Sequence, residues 1–129
     1  MIVLANKNRT KAGTANVEFI EAQITKTPLE NNIGDAIISN CVINLVPEEE
    51  KQLVFNEMFR ILKPGGRVAV SDILAKKPLP EQLKKSIVAY VGCVAGASPV
   101  SQYETYFQEA GFAGEGPTLT FSLSGERMR

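Results

Sequence analysis

The sequence contains no histidine. That excludes Ser-His and Cys-His catalysis and most zinc sites together. Cysteine is nearly as scarce. Cys41 and Cys93 lie far apart, and neither belongs to a CxxC pair. In a reducing cytosol they are expected as thiols, not as a disulfide. No sign of charge dominates, since 14 basic residues balance 14 acidic ones. No basic stripe is available to neutralise phosphates, so no nucleic-acid partner is expected. Lys7, Arg9 and Lys11 read as a solvated helix face. Long hydrophobic runs are missing too. The longest, Ile87 to Ala97, falls short of the ~20 residues of a membrane span, and Pro99 follows it. Met1 to Ala5 is too short for a signal h-region and has no basic stretch before it. A cytoplasmic protein without a membrane partner is the expectation.

What remains is a chain of 129 residues with an ordinary apolar fraction, enough for about one domain with a core of its own. The first dozen residues read as a helix end stopped by Gly13. Val17 to Ile20 reads as a short strand. Pro28, Asn31, Asn32 and Gly34 mark a loop. Asp35 to Asn40 has a near-continuous apolar centre, which predicts a strand covered on both faces, as in a parallel sheet.

The clearest helix follows. Pro47 suits a first helical position, and Glu48, Glu49 and Glu50 favour the positive end of a helix dipole. Val54, Phe55, Met58, Ile61 and Leu62 recur at helical spacing and form one apolar stripe. Pro64-Gly65-Gly66 turns the chain after Lys63, and Arg67 to Asp72 is the next strand. Strand, helix, tight turn, strand is a βαβ unit. Pro78 and Pro80 open a further helix with Leu83, Ile87, Tyr90 and Val94 on roughly one side. Gly92 and Gly96 weaken it. Ser98-Pro99 reads as an N-cap with proline in the first turn. That helix ends at Ala110-Gly111, with Phe112 packing back on its last turn. Thr118 to Leu123 alternates as a half-buried strand does, and Gly125 to Arg129 is expected to fray. The fold class is α/β, which by itself assigns no function.

Phe59-Arg60-Ile61-Leu62-Lys63-Pro64-Gly65-Gly66-Arg67-Val68-Ala69-Val70-Ser71-Asp72 resembles the helix, turn and fifth strand of class I methyltransferases. Ile38-Ser39-Asn40-Cys41-Val42-Ile43-Asn44-Leu45-Val46-Pro47 resembles the segment after the fourth strand of arsenite methyltransferases. Gly92-Cys93-Val94-Ala95-Gly96-Ala97 is similar to a second cysteine segment of that family. The resemblance runs from about Met1 to Phe112. It implies a partial Rossmann-like methyltransferase fold without the first two strands, residues 1–129 forming one incomplete domain, the C-terminal half.

The same resemblance implies methyl transfer from S-adenosyl-L-methionine to trivalent arsenic, with Cys41 and Cys93 as the arsenic ligands. As(III) is soft and thiophilic, and thiolate is the softest side-chain ligand. An arsenic lone pair attacking a sulfonium methyl needs no general base, in keeping with the missing histidine. A cysteine without such a context is usually a small buried hydrophobe. Gln23-Ile24-Thr25 sits where the family has an acidic residue, an isoleucine and often a glutamate. The resemblance puts Ile24 on the adenine and Gln23 in the place of the acid that takes the adenine amino group. A glutamine carbonyl still accepts. Asn40 and Cys41 would face the methionine part. Isoleucine is also often plain core, and asparagine after a strand is often a turn residue.

The glycine-rich loop after a first strand, through which doubly wound folds approach a cofactor, has no counterpart here. Gly114-Glu115-Gly116 does not lead from a strand into a helix and reads as a loop. Without the first two strands, Val17–Ile20 and Asp35–Asn40 would carry open edges. The chain then forms a homodimer through that edge, pairs the two strands directly, or meets a missing N-terminal half. Three other functions stay open: a class I methyltransferase for another small molecule, a non-catalytic arsenic- or metal-binding module, and an inactive fragment.

Overall fold

The computed structural model describes residues 1–75, 80–85, 96–112 and 118–119. Helix α1 (Ile2–Ala12) is followed by strand β1 (Gly34–Asn40), helix α2 (Lys51–Ile61) and strand β2 (Leu62–Ser71). Helix α3 (Glu81–Lys84), helix α4 (Val100–Ala110) and strand β3 (Thr118–Leu119) complete the order. Two 3-10 turns, Ile43–Leu45 and Glu48–Glu50, link β1 to α2. Among the described residues the strands form a parallel sheet in the order β1-β2-β3. Parallel neighbours need a crossover, and α2 supplies it between β1 and β2. The fold class is therefore α/β, as expected.

The helix expected after Pro47 forms, opening as the Glu48–Glu50 turn and becoming α-helical at Lys51, but it ends at Ile61, and Leu62 and Lys63 belong to β2 instead. Val54, Phe55, Met58 and Ile61 of the expected stripe are buried on α2, and Leu62, the fifth, is buried as the first residue of β2. The turn expected at Pro64-Gly65-Gly66 falls inside β2, which begins at Leu62 and not at Arg67, and Gly65 stands within it at φ 82. The register runs evenly from Ala36 opposite Arg67 to Asn40 opposite Ser71. Before that, Asp35 alone stands against Lys63 to Gly66, which bulge outward.

The core lies between α2, α4 and one face of the sheet. Phe55 sits at its centre, edge-on to Phe107 at 4.6 Å and to Tyr103 at 5.6 Å, and stacked on Tyr106 at 5.3 Å. A buried ring of this kind contributes about 1.5–3 kcal/mol from burial, with about 0.5–1.5 more per well-oriented aromatic pair. The stop at Gly111 holds as expected, with φ 108. The Phe112 N–H donates to the Phe107 carbonyl at 3.0 Å, and the Phe112 ring packs on Phe59 and Phe107. Gly13 likewise stops α1 at φ 68, although α1 buries no residue.

Three further expectations fail. Val17–Ile20 forms no strand, and Phe19 and Ile20 are exposed. A strand exists only through a hydrogen-bonded neighbour, and β1 pairs with β2, not with this segment. Direct pairing of the two segments is thereby excluded. Nor is β1 covered on both faces. Side chains alternate along a strand; Ile37 and Ser39 share the core face with Val68 and Val70, whereas Ile38 on the opposite face is 83% exposed. Finally, Ser98 does not cap α4. Pro99 holds the cap position, and the Ser98 hydroxyl is engaged elsewhere. The helix from Pro80 begins at Glu81. Its positions Ile87, Tyr90 and Val94 lie outside the described residues, as do Thr120 to Leu123 and the tail Gly125 to Arg129.

Candidate functional site

Ligands of open parallel sheets gather at the carboxyl ends of the strands. That edge carries Asn40 and Cys41 at the end of β1, with Ser71 and Asp72 at the end of β2. Asn40 is exposed and stands opposite Ser71. Cys41 is exposed as well, and its N–H donates to the Ser71 carbonyl at 2.8 Å, carrying the ladder one residue past the strand. Its φ is 52, a left-handed conformation that a side chain with a Cβ enters at a cost of about 1–2 kcal/mol. Strain of this kind concentrates at functional sites and persists where its surroundings over-determine it.

The surroundings do so here. The turn Ile43–Leu45 begins two residues after Cys41, and its leading N–H groups need acceptors. Asp72 supplies an acceptor for the Asn44 N–H, at 3.3 Å, and its carboxylate also accepts from the N–H of its neighbour Ile73, at 3.1 Å. Burial raises the Asp72 pKa above the usual carboxylate value, while these N–H groups and the Lys51 charge pull the other way. The Asn44 side chain is fully buried. It donates to the Ile73 carbonyl at 2.7 Å and accepts from the Tyr103 hydroxyl at 2.9 Å.

Gly96 meets the same turn from the far side. A Cβ on Gly96 would lie 1.8 Å from the Asn44 carbonyl oxygen, so only glycine permits the approach. Lys51 holds this contact in place from inside the core, at 0% exposure. An ammonium has three donors, and these go to Glu48 at 2.8 Å, the Ser98 hydroxyl at 2.8 Å and the Gly96 carbonyl at 2.5 Å. A buried amine lacking such partners would be strongly destabilising. Glu48 also accepts from the Tyr106 hydroxyl. Burial pushes the Glu48 pKa up, but its bonds from Lys51 and Tyr106 prevail and it falls below the usual value. Burial and the Glu48 charge together raise the Tyr106 hydroxyl.

Gln23 and Ile24 are positioned by a separate anchor. Gln23 is exposed in a turn closed by the Lys26 N–H at 3.0 Å, and Ile24 is half-buried against the core. Just beyond, the Thr27 N–H and hydroxyl donate to Glu57 at 2.8 and 2.7 Å. Arg60 bonds the same carboxylate at 2.6 and 2.8 Å and reaches the Leu29 carbonyl at 2.7 Å. The Arg60 bond, with burial opposing and Thr27 assisting, lowers the Glu57 pKa to about 2.

Of the residues singled out from sequence, Asn40 and Cys41 thus stand together at the sheet edge. Ile24 packs against the core beside the exposed Gln23, and Cys93 lies outside the described residues. Asn44, Asp72, Tyr103, Lys51 and Gly96 were not singled out as site residues. Asn44 and Gly96 fall inside the two cysteine segments, which was their one local signal. The others are brought in by packing from β2, α4 and α2.

Residues 1–111 match the model of a family described as a methyltransferase domain. An arsenite methyltransferase from Halobacterium salinarum is 43% identical over 112 residues, which cover 87% of this chain and 28% of that protein. A ubiquinone/menaquinone biosynthesis C-methyltransferase from Yersinia pestis is 39% identical over 84 residues, or 65% of this chain and 32% of the relative. The crystal structure of an arsenic (III) S-adenosylmethionine methyltransferase from Chlamydomonas reinhardtii superposes with a TM-score of 0.69 at 34% identity, over 82% of this chain and 36% of that one. The chain spans less than a third of the length of the two curated relatives.

Proposed function

The chain belongs to the methyltransferase domain family, and from that premise we propose that it serves methyl transfer from S-adenosylmethionine to As(III) held by the thiolates of Cys41 and Cys93. The observation that carries the reading is Cys41 itself. A thiol stands exposed at the carboxyl edge of a parallel sheet, in a backbone conformation that costs stability and that three successive residues of β2 and its continuation enforce. Asn44 and Cys41 are three residues apart, as are Gly96 and Cys93. The backbone contact between Asn44 and Gly96 joins the described parts of the two cysteine segments, which supports reading them as one site.

The donor set suits the substrate. Thiolates are soft ligands for a soft metalloid, and binding drives their ionisation. S-adenosylmethionine would supply an electrophilic methyl group. Exposed Asn40 and Gln23 offer polar contacts for it, and half-buried Ile24 an apolar one. With no base required, the work left to the protein is to hold arsenic in line, and orientation of this kind is worth several kcal/mol of barrier. Among the described residues β1 pairs with β2 alone, and its other edge is where a second copy, or an N-terminal half, would extend the sheet.

The test is arsenite titration of the chain beside Cys41→Ser and Cys93→Ser, with calorimetry for S-adenosylmethionine. Each serine variant should bind at least about tenfold more weakly, because the second thiolate of a chelate acts at high effective concentration. Equal binding by all three proteins ends the arsenic reading. The likeness to the Yersinia C-methyltransferase favours a second reading, a methyltransferase for another small molecule. Cofactor binding with no arsenite binding would select it. Arsenite binding with no cofactor binding would leave a non-catalytic module.

A further inference from the structure

We infer that Asn44 is a positioning residue, which sets the direction of the Cys41 thiol through a clamp on the turn that follows it. The inference rests on the thiolate reading above and adds the device that prepares one of the thiols. Cys41 is tied on its own N–H to Ser71. Three residues later, the Asn44 N–H is tied to Asp72, and its side-chain amide to the Ile73 carbonyl. Three consecutive residues leaving β2 therefore grip the chain on both sides of the thiol. The grip accounts for a left-handed cysteine that local preference does not supply.

Asn44 is suited to the task by its chemistry. It has a donor and an acceptor on one short side chain. The donor faces the end of β2, and the acceptor is occupied by the Tyr103 hydroxyl from α4. Both residues are buried, Tyr103 at 1% exposure. Water cannot replace either partner, so loss of the hydroxyl loosens the amide and the turn. Asp72 completes the clamp by accepting the leading N–H groups of the turn.

Tyr103→Phe removes the hydroxyl and keeps the ring, so the core survives. Three quantities are measured: arsenite affinity, the rate of Cys41 with dithionitrobenzoate in a Cys93→Ser background, and urea stability. Ile61→Val, a buried change at the far end of α2, controls for a general loss of stability. Tyr103→Phe should weaken arsenite binding roughly tenfold, since ligands that must be ordered on binding lose affinity. The dithionitrobenzoate rate should stay within about twofold, because a reagent that meets one thiol responds to its ionisation and access, not to its direction. Ile61→Val should bind arsenite as the parent does. Undiminished arsenite binding by Tyr103→Phe, or an equal loss in Ile61→Val, overturns the positioning role while leaving thiolate ligation standing. If Cys41→Ser already binds arsenite as the parent does, both readings fall together.

Discussion

Gly96→Ala should destabilise the fold far more than its single methyl group suggests. The new Cβ would stand 1.8 Å from the Asn44 carbonyl oxygen and 2.9 Å from its carbonyl carbon. A carbon normally stays about 3.3 Å or more from a carbonyl oxygen, so the two backbones must part by about 1.5 Å. Neither side is a flexible side-chain end. Overpacking a rigid site costs about 1–3 kcal/mol. The displacement also breaks the bond from the buried Lys51 ammonium to the Gly96 carbonyl, and a hydrogen bond to a charged group is worth about 1.5–3 kcal/mol. The sum, about 2.5–6 kcal/mol, is a large part of the stability of a domain. Urea denaturation followed by far-ultraviolet circular dichroism measures it, with the m-value checking that cooperativity survives. Gly13→Ala is the companion: φ is 68, nothing lies within 4 Å, and the cost should stay within about 1–2 kcal/mol. If Gly96→Ala lies within about 1 kcal/mol of the parent, the junction between the two cysteine segments is not the tight backbone contact described, and the support it lends to a shared site goes with it.

Two further outcomes follow from the geometry. Cys41→Gly should be more stable than Cys41→Ala by about 1 kcal/mol, because glycine enters the left-handed region without a Cβ penalty; alanine equalling glycine in urea denaturation would remove the strain argument. Glu57, whose folded pKa of about 2 lies below the ordinary 4.5, contributes stability that is complete above about pH 4.5 and is lost as pH falls towards 2. Glu57→Gln should flatten this part of a melting-temperature profile, and an unchanged acid limb would count against the Thr27–Glu57–Arg60 anchor.

Features governed by neighbours along the chain could be read directly. Val54, Phe55, Met58 and Ile61 follow from helical periodicity, and each is buried on α2. Gly13 and Gly111 stop their helices because the left-handed cap is open to glycine, and Phe112 packs where the residue after such a cap points. Val17–Ile20 could not be judged in this way. Its β-branched and aromatic side chains suit a strand, but the existence of a strand depends on an edge some distance along the chain. Ser98 has the composition of a cap, yet a buried amine competes for its hydroxyl from 47 residues away.

The order of the amino acids determined the glycine stops of α1 and α4, the apolar stripe of α2, and which two thiols are available, since these depend on local sterics and side-chain chemistry alone. Tertiary structure decided that Cys41 is held left-handed at the sheet edge, that Asn44 is clamped between β2 and α4, and that Gly96 touches the same turn. Each of these is a pairing of groups 28 to 59 residues apart or involves a backbone contact across the core. A buried polar group is satisfied by whichever partner the packing delivers, and that partner's identity is written only in three dimensions.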